Sequence, residues 1–192
     1  IAAGAMMDQQ GQPLAAFSSQ FTLDETPPHV TSSSVVEGDV IAAGHLTYTA
    51  VFSELLDEVA LSVDDLQLVG VSSGSQVPTN LAYDAGTSTL PVEYANLPVD
   101  NYALTLLSGD ERFEDVVGND LDGEPAIGTT VPSGDGNPGG DFIIHFSTDP
   151  AFAVAAVDPT DGAILPAAPT AITLDFNNHV DASSAQATDL EV

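Results

Sequence analysis

Residues 115–124 read Asp-Val-Val-Gly-Asn-Asp-Leu-Asp-Gly-Glu, which puts four carboxylates and an amide in ten positions. Hard oxygen ligands of this kind suit Ca2+, so Asp115, Asn119, Asp120, Asp122 and Glu124 form a candidate calcium loop. The spacing is not that of an EF-hand. With Asp120 and Asp122 at loop positions 3 and 5, Gly118 falls at position 1 and Thr129 at position 12, where carboxylates are required. The competing reading is an Asx-turn loop in which Asp115 and Asn119 bond local backbone. A second candidate is Asp24 with Glu25, just ahead of Pro27-Pro28. Prolines stiffen a junction, and calcium bound there would set the angle between domains. The matching Asp149-Pro150 lacks the Glu. Residues 133–141, with Asp135, Asn137 and Asp141 among four glycines, read first as a flexible hairpin end.

Catalytic patterns are weaker. Gly70-Val71-Ser72-Ser73-Gly74 fits Gly-x-Ser-x-Gly, but a nucleophile elbow needs a helix directly after the serine, and a proline follows at 78. His29, His45, His145 and His179 show no paired metal-ligand spacing. Acid pairs for glycoside hydrolysis are not singled out by any pattern, and there is no Trp to form a sugar platform. The expectation is that the protein is not an enzyme.

The charge is extreme. Asp and Glu total 29 against one basic residue, Arg112, for a formal net charge of -28. Such a chain has no cationic surface for nucleic-acid phosphates, and anionic membranes repel it. No apolar run reaches the ~18 residues of a membrane span. Self-repulsion strains the compact state, and salt or divalent cations relieve it. Asp outnumbers Glu 20 to 9, which favours loops and short-armed cation coordination. An extracellular, saline or calcium-containing setting is expected. Cysteine is absent, so disulfides and thiolate metal sites are excluded.

The elements that must position these acids are strands. Alternating apolar residues mark 46–52, 65–71, 88–94, 101–107 and 141–147, with an opening strand near 29–35 and turn-rich stretches between. Residues 53–61 could supply a helical turn. Residues 30–68 also align without gaps on 154–192. Val30 falls on Val154, Gly38 on Gly162, Phe52 on Phe176, Asp65 on Asp189 and Leu66 on Leu190, a constant offset of 124. Residues 17–24 match 142–149 at an offset of 125. A period this long marks tandem domains. The expected division is 1–26 as the last strand of a preceding unit, 27–149 as one complete unit, and 150–192 as the start of a following unit.

Three stretches carry a resemblance: Phe52-Ser53-Glu54 (with Phe176-Asn177-Asn178), Leu97-Pro98-Val99-Asp100-Asn101-Tyr102, and Asp115, Gly118 and Asn119. Together they resemble bacterial immunoglobulin-like repeats of the S-layer and large surface-protein, adhesin-like type. Asp100 stands where that pattern usually has Gly. The resemblance implies an all-β chain of tandem immunoglobulin-like antiparallel β-sandwiches, one complete and two partial. It implies a non-catalytic spacer of a secreted or cell-surface protein, whether adhesin stalk, envelope layer or filament. Its partners would be neighbouring repeats, with self-assembly through incomplete terminal domains as a further route. The alternative is an accessory carbohydrate- or protein-binding module of a secreted enzyme. Independently, Tyr102 reads as a tyrosine corner, its hydroxyl tied to nearby backbone.

Overall fold

A computed structural model describes residues 1–126, 129–181, 183, 184 and 186. The chain is all-β, with 41% of the described residues in strands and isolated bridges and no α-helix among them. In chain order the strands of the central unit are β1 (Val30–Ser33), β2 (Val40–Ala42), β3 (Gly44–Phe52), β4 (Leu66–Gly70), β5 (Gly74–Gln76), β6 (Asn80–Leu81), β7 (Thr89–Leu97), β8 (Asn101–Leu106), β9 (Pro125–Ala126), β10 (Thr129–Ser133) and β11 (Phe142–Asp149). Two more, β12 (Val154–Asp158) and β13 (Thr173–Phe176), pair with each other and with no other described strand.

The period-2 pattern explains the layers. One sheet runs β1-β3-β7-β6, the other β2-β11-β8-β4-β5. Their neighbours are antiparallel, except that β2 runs parallel to β11 through Ser147↔Val40. Leu46, Tyr48, Ala50 and Phe52 of β3 face inward with Leu90, Val92 and Tyr94 of β7. Across from them lie Leu66 and Leu68 of β4, Tyr102, Leu104 and Leu106 of β8, and Phe142, Ile144 and Phe146 of β11. All belong to one buried cluster, a sandwich-like core. Each large side chain removed from water there contributes about 1.5–3 kcal/mol. Stacked rings add to the core, Phe113 of the loop after β8 on Phe52 of β3 at 5.9 Å, and Tyr102 on its neighbour in the same sheet, Phe146, at 5.4 Å.

Several details depart from the sequence pattern. Residues 53–61 form turns, and a 3-10 turn sits just beyond at Val63–Asp65, capped by Ser62. The sections 72–80 and 132–140, expected as turns, contribute β5, part of β6 and part of β10. Edge strands this short carry no alternation to detect, and their shortness limits unwanted pairing. Residues 17–24, expected as a strand, have no strand pairing, and Phe17, Phe21 and Leu23 are exposed. A strand satisfies its N–H and C=O groups only through neighbours, and no described strand lies alongside.

The offset of 124 reappears as geometry. The pairs Val30↔Phe52, Ser32↔Val51 and Ser33↔Ala50 are matched by Val154↔Phe176, Ala156↔Asp175 and Val157↔Leu174, irregularity included. Ser53 Oγ accepts from the His29 N–H at 3.0 Å, and Asn177 Oδ1 accepts from the Ala153 N–H at 2.9 Å. The turns closed by Asp39 N–H→Val36 O and Ala163 N–H→Thr160 O place Gly38 and Gly162 at φ 84 and 75. Only glycine takes that left-handed conformation without strain. The expected matches at Asp189 and Leu190 lie outside the described residues.

At the end where β4, β8 and β11 turn over, the Tyr102 hydroxyl donates to Pro98 O at 2.8 Å, the expected corner. Asp100 is buried and accepts from the N–H groups of Ser72, Ser73 and Asn101 at 2.6–2.9 Å. Burial pushes its carboxyl upward, but bonds from Ser73, Ser72 and Asn101 outweigh that and hold it at about 2. Gly70 leaves the necessary room, because a Cβ there would collide with Ser73 Oγ and lie 2.6 Å from Asp100 Oδ2. Residues 70–74 are therefore the turn that caps Asp100, with β5 after the serines where a nucleophile elbow needs a helix.

Two tyrosines separate bonded from unbonded hydroxyls. Tyr102→Phe loses the corner bond and should cost about 0.5–1.5 kcal/mol. The Tyr94 hydroxyl is buried with no partner, so Tyr94→Phe should leave stability unchanged or raise it by up to about 1–3 kcal/mol. Urea midpoints of the two variants check the contrast. A second expectation is pH-dependent. Asp100 is held below its unfolded value of ~3.9, so its contribution is full above pH ~4 and lost as pH falls through about 2. Asp100→Asn should flatten the acid limb of a melting-temperature profile in that window.

Candidate functional site at the upstream pole

Val30, where the chain comes into the central unit, pairs with Phe52 at the end of β3. Asp149, where it leaves, pairs with Ala42, just before β3 begins at Gly44. The nine residues of β3 separate the two points, a span of roughly 27 Å. The unit thus has an upstream and a downstream pole.

The upstream pole is built from loops 53–62, 107–124 and 134–141. Leu56 bridges to Asp115 and Glu114 to Asp120, while the N–H of Asp57 donates to Glu114 O at 3.0 Å and that of Gly123 to Gly140 O at 3.0 Å. This stitching distributes the carboxylates into three groups, each with oxygens within 4.8 Å of one another. Asp24, Glu54 and Asp115 make one, Asp110, Glu114 and Asp120 the second, and Asp122, Glu124 and Asp135 the third. The residues expected to surround one ion therefore go to three places. The loop is pinned at Leu56↔Asp115 and Glu114↔Asp120, and Asp115, Asp120 and Asp122 fall in different groups.

Asp115 is almost fully buried and accepts from the N–H groups of Val117 and Asn119 at 2.8 and 2.9 Å, and from Asn119 Nδ2 at 2.8 Å. This is the Asx arrangement. Asn119 enters this arrangement through its Nδ2 donor. Asp122 is buried and accepts from the N–H groups of Asp135 and Gly136 at 2.9 and 2.8 Å. The 133–141 loop closes over the third group. A Cβ on Gly134 would come within 2.5 Å of Asp122 Oδ2, and one on Gly140 would overlap Glu124 Oε2. Glu124 Oε2 and Asp120 Oδ1 are buried atoms without a hydrogen-bond partner. Glu25 is exposed and joins none of the groups, while Asp24 accepts from Thr26 N–H at 3.2 Å. Asn137 bonds Asp135 locally, and Asp141 accepts from Ser108 N–H at 2.9 Å.

Crowding shows in the ionisation. Burial pushes the Glu54 carboxyl up, helped by the charges of Asp115 and Asp24. Burial raises Glu114 most, and Asp120, Asp110 and Asp57 add to it against a backbone bond from Glu111. Asp120 is raised by burial and then by Asp110. The donor sets are hard oxygen only, which fits the class of Ca2+ and Mg2+ and not of soft metals. No histidine belongs to these groups among the described residues, and His145 is exposed beside Glu37, its Nδ1 3.3 Å from that carboxylate.

No family model matches the chain, and no curated protein is significantly similar to it.

Sequence reasoning missed Glu54, Asp110 and Glu114 as members of the groups. Glu54 stands in the Phe-Ser-Glu motif, where it reads as a fold marker. Nothing in linear spacing brings it to Asp24 and Asp115, which lie 30 and 61 residues away.

Groups with folded pKa values above the unfolded ones favour folding at acid pH and lose that contribution as pH rises. At pH 7 and low salt, Glu114→Gln and Asp120→Asn should each raise the melting temperature. The gain should vanish below pH ~4, where the carboxyls are protonated anyway. Melts at pH 7 and 3.5 check this.

Proposed function

We propose that the protein is a non-catalytic structural repeat, an immunoglobulin-like spacer of a large secreted or cell-surface protein. The observation that carries this reading is the separation of the poles. A chain that comes in at one end of a sandwich-like unit and leaves at the other lengthens the whole with every unit added. The recurrence of the β1·β3 register, the Gly38 turn and the Ser53 cap at residues 153–177 supports a second unit of the same kind. The short linker between β11 and β12 supports it too, because so few residues between consecutive strands leave little room to fold back.

Aromatic placement favours a spacer over a carbohydrate-binding module. In the central unit Tyr48, Tyr94, Tyr102, Phe52, Phe113, Phe142 and Phe146 are buried and Tyr83 is half-buried, so no ring platform faces solvent. The remaining role of the acidic groups is electrostatic. With a net charge of -28, divalent cations at the upstream pole would offset repulsion and stiffen the joint with the preceding unit.

Two measurements test these statements separately. Two, three and four copies of residues 27–149 in series should show a maximum dimension in X-ray scattering that grows by a constant step of at least about 27 Å. A dimension that stops growing refutes the spacer. For the cation, adding a chelator at low salt should lower the melting temperature, with recovery on adding Ca2+. An unchanged melting temperature removes calcium from the account and leaves the spacer in place.

A further inference from the structure

The segment 24–30 that leads into the unit lies in a series of main-chain contacts. Asn119 Nδ2 is 3.4 Å from Asp24 O and 3.4 Å from Thr26 O, and Asp122 N–H donates to Pro28 O at 2.8 Å. Val30 N–H donates to Ser133 Oγ at 2.9 Å, whose hydroxyl donates to Asp122 O at 2.8 Å. Pro27 and Pro28 are buried. The three acceptors around Asn119 Nδ2, which include Asp115 Oδ2, settle the amide orientation, since an oxygen there would face only oxygens.

We propose that loop 115–119 is a docking site for the main chain joining a preceding unit to this one, with Asn119 as its positioning residue; this rests on the spacer reading above. The buried Asp115 shapes the loop and presents the Asn119 amide. That amide is a neutral donor at a place where Asp24, Glu54 and Asp115 crowd like charge, which by itself pushes the linker outward. The Asn119 amide reaches carbonyl oxygens only, so at positions 24 and 26 it reads backbone, while the buried Pro27 and Pro28 fill the end of the segment. A linker that differs at positions 25 and 26 docks equally well, and the pole keeps its direction.

The test is 15N relaxation on this chain at pH 7 and 150 mM salt. Glu25 and Thr26 should show order parameters near 0.85, like the strands, and Asn119→Ala should drop them below about 0.6 while β3 and β8 stay unchanged. Thr26→Ala should have no effect. If Asn119→Ala does not fold, Asn119→Asp removes the donor within the same shape and should loosen the same two residues. The proposal is overturned if the linker amides are already mobile, if neither Asn119 variant moves them, or if Thr26→Ala loosens them as much. A mobile linker leaves the pole separation intact. A firm linker in a series that fails to lengthen would instead refute the spacer alone.

Discussion

The central unit exists because two apolar faces have only each other to cover them. Tyr48, Ala50, Leu90 and Val92 on one sheet meet Leu68, Leu104 and Ile144 on the other, and all are essentially removed from water. Neither sheet could stand alone with such a face exposed. In that closure β1 starts beside the end of β3 and β11 ends beside its beginning, so the chain enters at one pole and leaves at the other.

The second constraint is charge. Carboxylates cannot leave the chain, so the fold must place them, and it does so in two ways. Asp100, Asp115 and Asp122 are buried and receive several N–H bonds each, so they act as anchors for turns. Glu54, Glu114 and Asp120 are gathered with other acids, and their ionisation is opposed by burial and by their neighbours. The first set costs little because backbone dipoles compensate the charge. The second set is a standing repulsion at one pole, where cations, protons or salt act most strongly.

The same arrangement makes the two ends of the unit unlike. At the downstream pole Asp100 is capped beside a tyrosine corner and Thr148 bonded to Pro98 O, while Asp149 stays exposed. At the upstream pole three loops present unmatched acid around the incoming chain.

The strands that build the core were legible in the sequence because side-chain direction alternates strictly along a strand. Leu90, Val92 and Tyr94, or Phe142, Ile144 and Phe146, could be read inward from spacing alone. The offset of 124 was equally legible, since the same glycine and cap positions recur in line and in register. The tertiary structure decided which acids meet. Asp24, Glu54 and Asp115 converge only after β1 pairs with β3 and the loop after β8 folds back on Leu56, and no local pattern encodes that meeting. It also decided the fate of the 115–124 loop, where a set of apparent ligands became an Asx turn and members of three groups. Alternation is a local property of the backbone and survives in one dimension, whereas proximity between loops depends on every strand that separates them.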